Sequence, residues 1–291
     1  MITNSYLVNA KEMINKARKG KYAVPHININ GALWAKNVLE AANEEKSPII
    51  IGVSVGAIKY MGGYETTFAI VDSLVRDLNI TVPVALHLDH GNYEACIKAI
   101  NAGFTSVMFD GSSLQYEENY DITKKVVELA KSRDVSVEAE VGSIGGQEDD
   151  MMFIGELADP TQAKELADLG IDFLAAGIGN IHGKYPENWK SLNFDRLKEL
   201  NKSLEIGLVL HGGSGIPADQ VQKAIKLGVC KINVNTELQL AFCAGVKDFI
   251  ISGKVDQDKN YDPRKLLADG FSNIKTTTKE LIKEFHSNNK A

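Results

Sequence analysis

Eight times along its 291 residues this chain follows a short, continuously apolar run with a longer amphipathic stretch. A strand buried on both faces reads as such a run, and the connection to a parallel neighbour is usually a helix. The runs are residues 22–28, 48–54, 82–88, 106–109, 135–141, 173–176, 206–210 and 230–234. The helices between and after them are expected at 32–45, 64–78, 93–102, 119–132, 160–169, 194–201, 218–227 and 237–251. Eight β-then-α units are the number that closes a parallel sheet on itself, so the prediction is an α/β fold, a (β/α)8 TIM barrel. No Gly-rich dinucleotide fingerprint follows the first run, which weighs against an open doubly wound sheet.

Two segments lie outside the eightfold pattern. Asn9 and Glu12 have capping-box spacing, which predicts a helix over residues 10–19 ended by Gly20. The tail, residues 262–287, is expected to be helix packed outside the barrel or reaching toward a partner subunit.

Composition narrows the setting. A hydrophobic share of 44% is ample for one large core, and no Gly/Ser/Pro linker divides the chain, so residues 1–291 are expected to form one domain. The net charge of −6 is poor for generic nucleic-acid binding. Cys96, Cys230 and Cys243 make no CxxC pattern and cannot all pair, which fits a reducing, cytoplasmic compartment. The first residues carry no basic segment leading into an apolar core, and the most apolar window, residues 48–58, is too short to span a bilayer. Neither a secretory signal nor a membrane partner is therefore expected.

Chemistry in a barrel belongs where strands end and loops meet. The third run closes on His87-Leu-Asp-His-Gly91, His182 follows the sixth, and His211 ends the seventh. Three imidazoles and an open position are a catalytic zinc arrangement. His87 and Asp89 share strand parity, whereas His90 sits where strict alternation fails. His90, His182 and His211 are therefore the preferred ligands, with Asp89 beside the metal for proton transfer and His87 as an interior, hydrogen-bonded support. His26, near the end of the first run, either lines the mouth or, the preferred reading, packs; solvent-facing surface suits His286.

Two turns after the last strands offer an anion cradle: His211-Gly-Gly-Ser-Gly215 and Lys231-Ile-Asn-Val-Asn-Thr-Glu237. Small residues let backbone amides approach an anion, and Ser214 and Thr236 add hydroxyl donors. Glu140 ends the fifth run. The Gly-rich insertion after it, residues 142–150, is either a solvated acidic loop or a flap that delivers Glu148 to substrate.

With these motifs in view, the chain resembles the class II, metal-dependent fructose-bisphosphate aldolases and their tagatose-bisphosphate-cleaving relatives, in the shorter of the two subtypes. The resemblance rests on Tyr22-Ala-Val with Asn28-Ile-Asn30, His87-Leu-Asp-His-Gly91, Glu138-Ala-Glu-Val-Gly142 with Gly145-Gly-Gln-Glu-Asp149, His182-Gly183, His211-Gly-Gly-Ser-Gly215, Asn233-Val-Asn-Thr-Glu237 and Tyr261-Asp-Pro-Arg264. It implies an eightfold barrel holding Zn2+ at His90, His182 and His211, with Asp89 exchanging the aldol hydroxyl proton and Glu148 the carbon-bound proton of the triose phosphate. Glu140 matches a metal-neighbouring carboxylate implicated in zinc movement. Asn28 and Ser54 match residues lining the substrate site, and Gly183, Gly212, Ser214, Asn233, Asn235 and Thr236 match positions that grip dihydroxyacetone phosphate and its enolate. Arg264 matches an arginine that crosses a dimer interface to the second phosphate, which implies a homodimer or homotetramer. A monovalent cation, Na+ or K+, near the first phosphate is a further implied feature.

Two positions depart from the pattern. Gln147 stands where some members carry another acid, so no second carboxylate is expected there. Ser287-Asn-Asn-Lys-Ala291 lacks the arginine often found near this subtype's end, so no catalytic part is expected of the tail.

The expected activity is reversible cleavage of fructose 1,6-bisphosphate to dihydroxyacetone phosphate and glyceraldehyde 3-phosphate through a zinc-stabilised enediolate. Tagatose 1,6-bisphosphate is the nearest alternative substrate, although Asn235 resembles the fructose group, the tagatose group commonly carrying alanine there. A metal-dependent hydrolase and a non-catalytic sugar-phosphate-binding barrel stand further off. Lys184 and Lys231 raise Schiff-base chemistry as a mechanistic rival, yet neither sequence context makes one a nucleophile.

Overall fold

A computed structural model describes residues 6–148, 151–153 and 155–291, leaving the side chains of residues 147, 148 and 151–153 outside the description. Among the described residues the strands are β1 Val24–Asn28, β2 Ile49–Ser54, β3 Val84–Gly91, β4 Ser106–Phe109, β5 Ser136–Val141, β6 Gly145–Glu148, β7 Met151–Phe153, β8 Phe173–Ala176, β9 Ile181–His182, β10 Gly207–Leu210 and β11 Val229–Val234. Eight of them close a parallel barrel in the order β1-β2-β3-β4-β5-β8-β10-β11, with β11 returning to β1. The predicted barrel is therefore the observed one. The long insertion after β5 supplies β6 and β7 and the loop after β8 supplies β9, a small sheet in the order β7-β6-β9 laid beside the mouth.

Strand alternation sorts the barrel interior into layers. At the bottom, Val24, Ile50, Ala85, Met108, Phe173, Ala175 and Val209 pack with Met13, Ile14 and Ala17 of the N-terminal helix Lys11–Gly20, which plugs that end. Two residues beyond Val24 and Ala85 come His26 and His87, which together with Ser106, Glu138 and Lys231 have no exposed surface. Another two steps bring Asn28, Asp89, Glu140 and Asn233 to the mouth. Outward-facing residues such as Ile49, Ile51, Leu86, Leu88 and Val107 bury against the surrounding helices, each worth roughly 1.5–3 kcal/mol.

Three local expectations need correction. The third strand runs on to Gly91 rather than stopping at Leu88, because its pairing with β4 slips between Leu88 and Gly91 and His90 takes a left-handed φ of 48°. A short helix, Val55–Tyr60, follows β2 directly, with the Ser54 hydroxyl accepting the Ala57 N–H at 3.3 Å. The capping box does not form: Asn9 Oδ1 accepts the Lys11 N–H at 2.9 Å, but Glu12 turns to Lys16 at 3.6 Å.

The tail is helical, as Pro263–Leu266 and Ala268–Glu284. Its long helix packs outside the barrel on Thr236–Ile251 and Ala32–Glu44, where Lys275 bridges Glu40 at 3.2 Å and Glu44 at 2.6 Å. Among the described residues no helix is long and apolar enough to cross a membrane.

Candidate metal centre and active site

The bulge in β3 does the first work. A left-handed residue swings His90 out of strand alternation, so its Nε2 comes within 3.0 Å of His211 Nδ1 at the end of β10. His182, on β9, completes the set. Its ring centroid is 4.9 Å from that of His90 and 5.7 Å from that of His211, and one ligand atom from each of the three lies within 4.8 Å of the others. The three histidines chosen from sequence are thus brought together from three separate strands.

Two of the rings are oriented from behind. His90 Nδ1 is 2.7 Å from Asp110 Oδ2, and His211 Nε2 is 2.7 Å from Glu138 Oε1. Carboxylates on the far nitrogen fix the tautomer and raise the basicity of the near one, as in many metal centres. Burial, then the neighbouring His90, pushes His182 and His211 well below the ordinary imidazole range, leaving neutral rings. Glu140 lies within 4.8 Å of the His90 and Asp110 ligand atoms. Its Oε1 accepts the Ile144 N–H at 3.2 Å, whereas Oε2 is buried and meets no partner among the described residues. Burial, then the charge of Asp110, pushes its carboxyl well above the usual range. Facing lone pairs and a dry carboxylate oxygen are what a divalent cation would satisfy, and the N3O donor set suits zinc.

Asp89 stands beside this centre. Asn28 Nδ2 donates to its Oδ2 at 2.8 Å and Asn233 Nδ2 to its Oδ1 at 3.2 Å. Burial favours the neutral acid, but His26, then His90, outweigh that and hold the carboxyl well below its usual range. The result is an ionised, oriented carboxylate.

One cavity of about 260 Å³ collects Asn28, Asp89, His182, Gly183, Gly212, Ser214, Asn233, Asn235 and Thr236. Gln239, one helical turn after Thr236, joins them and was missed because nothing but that spacing marks it. Gly212 has a φ of 63°, and a Cβ there would stand 2.2 Å from the Ile181 carbonyl oxygen, so only glycine lets the two loops meet. Tyr185 seals the junction by donating to the Gly212 carbonyl at 2.8 Å and accepting the Ile181 N–H at 3.1 Å. The first turn of helix Thr236–Ile251 opens on the same cavity, where the Glu237 N–H donates to Ser214 Oγ at 3.2 Å, and a helix N-terminus is a favourable place for an anion.

Other predicted residues lie apart. Ser54 is nearly buried at the end of β2, level with Asp89 across the ladder, and its hydroxyl caps a helix. Arg264 is exposed, its guanidinium folded onto the Asp262 carboxylate of the same chain. The side chain of Glu148 falls outside the described residues, although its strand β6 runs beside β9, with Gly146 level with His182. His286 is exposed, as expected. Lys231 does not offer a nucleophile: its buried Nζ donates to Glu138 Oε2 at 2.7 Å and to Asn233 Oδ1 at 2.8 Å. Lys184 lines a neighbouring cavity. Asp110, Glu138 and Lys231 thus act behind the site, and Asp110 carried a readable signal, a carboxylate directly after an apolar strand.

The family model described as "Fructose-bisphosphate aldolase class-II" matches residues 8–290. A fructose-bisphosphate aldolase of Mycoplasma genitalium is 54% identical over 288 residues, covering 98% of this chain and 100% of the relative. One of Streptococcus pneumoniae serotype 4 is 49% identical over 291 residues, covering 98% and 99%. Among solved structures, the YdjI aldolase from Escherichia coli K12 superimposes with a TM-score of 0.84 at 33% identity over 98% of this chain and 99% of that one. A fructose-bisphosphate aldolase from Campylobacter jejuni gives 0.83 at 25% identity over 100% and 98%. The chain belongs to the class II fructose-bisphosphate aldolase family.

Proposed function

We propose that this protein reversibly cleaves fructose 1,6-bisphosphate to dihydroxyacetone phosphate and glyceraldehyde 3-phosphate, with zinc as its divalent metal. The observation that carries the reading is the meeting of His90, His182 and His211, with His182 lining the same cavity as Asp89 and the Gly183, Gly212, Ser214 and Thr236 cradle.

A metal held by His90, His182 and His211, with Glu140 beside them, would supply Lewis-acid polarisation of the substrate ketone. The chain's own groups do the rest. Amides and hydroxyls of Gly183, Gly212, Ser214 and Thr236 hold one phosphate, so the reacting carbons lie between that anchor and Asp89. Asn28 and Asn233 hold the Asp89 carboxylate in place while it takes the C4 hydroxyl proton. The C3–C4 bond then breaks, its electrons moving onto C3 and toward the C2 oxygen, and glyceraldehyde 3-phosphate departs. Asn233 and Asn235 donate to the oxygens that gain charge, and Glu148 returns a proton to C3.

Arg264 reaches the second phosphate from a partner subunit, which makes the working unit a homodimer or a homotetramer of dimers. A monovalent cation, Na+ or K+, shares the first phosphate site. Asn235 favours fructose over tagatose bisphosphate, residues 1–291 work as one domain, and the compartment is the cytoplasm. Turnover on both bisphosphates, measured before and after rigorous chelation and after zinc is restored, tests the reading. Cleavage only in the zinc-loaded protein, faster with the fructose substrate, supports it; metal-free turnover, borohydride trapping of a lysine adduct, or phosphate release without triose products would refute it.

A further inference from the structure

Below the cavity, His26 occupies volume that position 52 has given up. A Cβ built on Gly52 would lie 1.7 Å from His26 Nε2 and 2.5 Å from both carbons beside it. The ring is fully buried, and neither of its nitrogens meets a hydrogen-bond partner among the described residues. Each dry nitrogen costs on the order of 1–3 kcal/mol, so an apolar ring would serve packing better. What Nε2 faces is Asp89, whose Oδ2 is 3.7 Å away. His87 backs the ring edge-on at a centroid distance of 5.3 Å, and is itself fixed through Nδ1 to Ser106 Oγ at 2.7 Å.

We propose that His26 is a positioning residue for Asp89: its Nε2–H closes the short remaining gap to Oδ2 when substrate binds. The carboxylate then has a third donor, from the barrel interior, beside Asn28 and Asn233. With donors on three sides it cannot rotate away from the C4 hydroxyl whose proton it takes. The inference rests on the reading of Asp89 as the base given above. It also separates two reactions, because exchange of the carbon-bound proton of dihydroxyacetone phosphate draws on Glu148 and leaves Asp89 idle.

Five variants test it in zinc-loaded protein of verified metal content: His26→Phe, which keeps the volume and loses the donor; His26→Gln, which restores an N–H near the Nε2 position; His26→Ala; Gly52→Ala, which displaces an intact imidazole; and His26→Ala with Gly52→Ala. Cleavage is followed as kcat and KM, and proton exchange into dihydroxyacetone phosphate alone by NMR in deuterated water. His26→Phe should lower kcat for cleavage by about 10- to 100-fold while KM and exchange stay within about two-fold. His26→Gln should recover most of the loss, and Gly52→Ala should match His26→Phe. In the His26→Ala background Gly52→Ala should cost nothing further, since the ring it would displace is gone. Wild-type cleavage with His26→Phe, equal losses of cleavage and exchange, or His26→Gln no better than His26→Phe would each overturn the inference alone. A wild-type protein that exchanges but cleaves neither bisphosphate would overturn the aldolase reading and this inference with it.

Discussion

Glu138→Gln is the substitution that most directly probes how the metal centre is held. The native carboxylate is fully buried, sits 2.7 Å from both Lys231 Nζ and His211 Nε2, and lies 3.5 Å from His87 Nε2. At an effective dielectric of about 20, a pair of unit charges 2.7 Å apart attracts by roughly 6 kcal/mol, partly offset by the cost of drying both. Glutamine keeps the volume but turns this into a stranded ammonium facing an amide. The expected loss is about 3–5 kcal/mol of folding stability, read from the urea midpoint of metal-free protein with an unchanged m value. His211 also loses its anionic backing, so zinc affinity should fall by about 10- to 100-fold. Adding Lys231→Met should return much of the lost stability, because the unpaired charge leaves with it, and should not restore zinc affinity. A Glu138→Gln protein with wild-type midpoint and wild-type zinc affinity would refute the view of this pair as the support beneath His211.

Three further outcomes are expected. Asp89→Asn should lower cleavage by about 10²–10⁴-fold while zinc content and proton exchange into dihydroxyacetone phosphate survive; parallel loss of all three would mean a structural role instead. The pH dependence of the metal-free protein follows from His26, His87, His182 and His211, which burial first, and then Lys231 or His90, holds well below the ordinary range. Below about pH 6.5 the unfolded chain takes up protons that the folded one refuses, so stability present above that pH is lost on acidification, by up to about 1.4 kcal/mol per pH unit for each ring; denaturation midpoints that do not move between pH 7.5 and 5.5 would contradict this. If Arg264 serves a partner's site, mixing inactive Asp89→Asn with impaired Arg264→Ala subunits should regenerate sites that are whole, and activity that never rises above the sum of the separate proteins would count against it.

Much of this was legible because strands buried on both faces leave continuous apolar runs, and because polar groups closing such runs are costly unless they do chemistry. His90, His182, His211, Asp89 and the residues of the anion cradle all carry that signature. Glu138 and Lys231 do not: they lie inside their strands, and a charge there reads as alternation until a partner from another strand is seen to neutralise it. The bulge that aims His90 was hidden because a left-handed histidine leaves no local mark. Arg264 is a different case, since the contact expected of it requires a second chain. The fit between His26 and Gly52 could not be read either; the two are on neighbouring strands, and only their register turns a missing side chain into room for a ring.

The buried polar layer explains why the site is rigid where it needs to be and incomplete where it acts. Lys231, Glu138 and Asn233 satisfy one another, and the apolar floor with its helical plug fixes the strands that carry them, so the backs of His211 and Asp89 are held before any ligand arrives. Among the described residues dry polar atoms, by contrast, occur at His26, His87, Glu140 and Asn235, within or directly beneath the cavity, and outside it at Trp34 Nε1 on helix Ala32–Glu44. Each of those at the cavity would be more stable as an apolar residue of similar size. Groups that lower folding stability in one place, around an otherwise satisfied network, are those kept for a metal, an anion or an incoming hydroxyl to complete. Apolar replacements at His26 or Glu140 should therefore raise the stability of the metal-free protein while lowering its activity when zinc is restored, and denaturation midpoints that fall with activity would show that these side chains hold the barrel together instead.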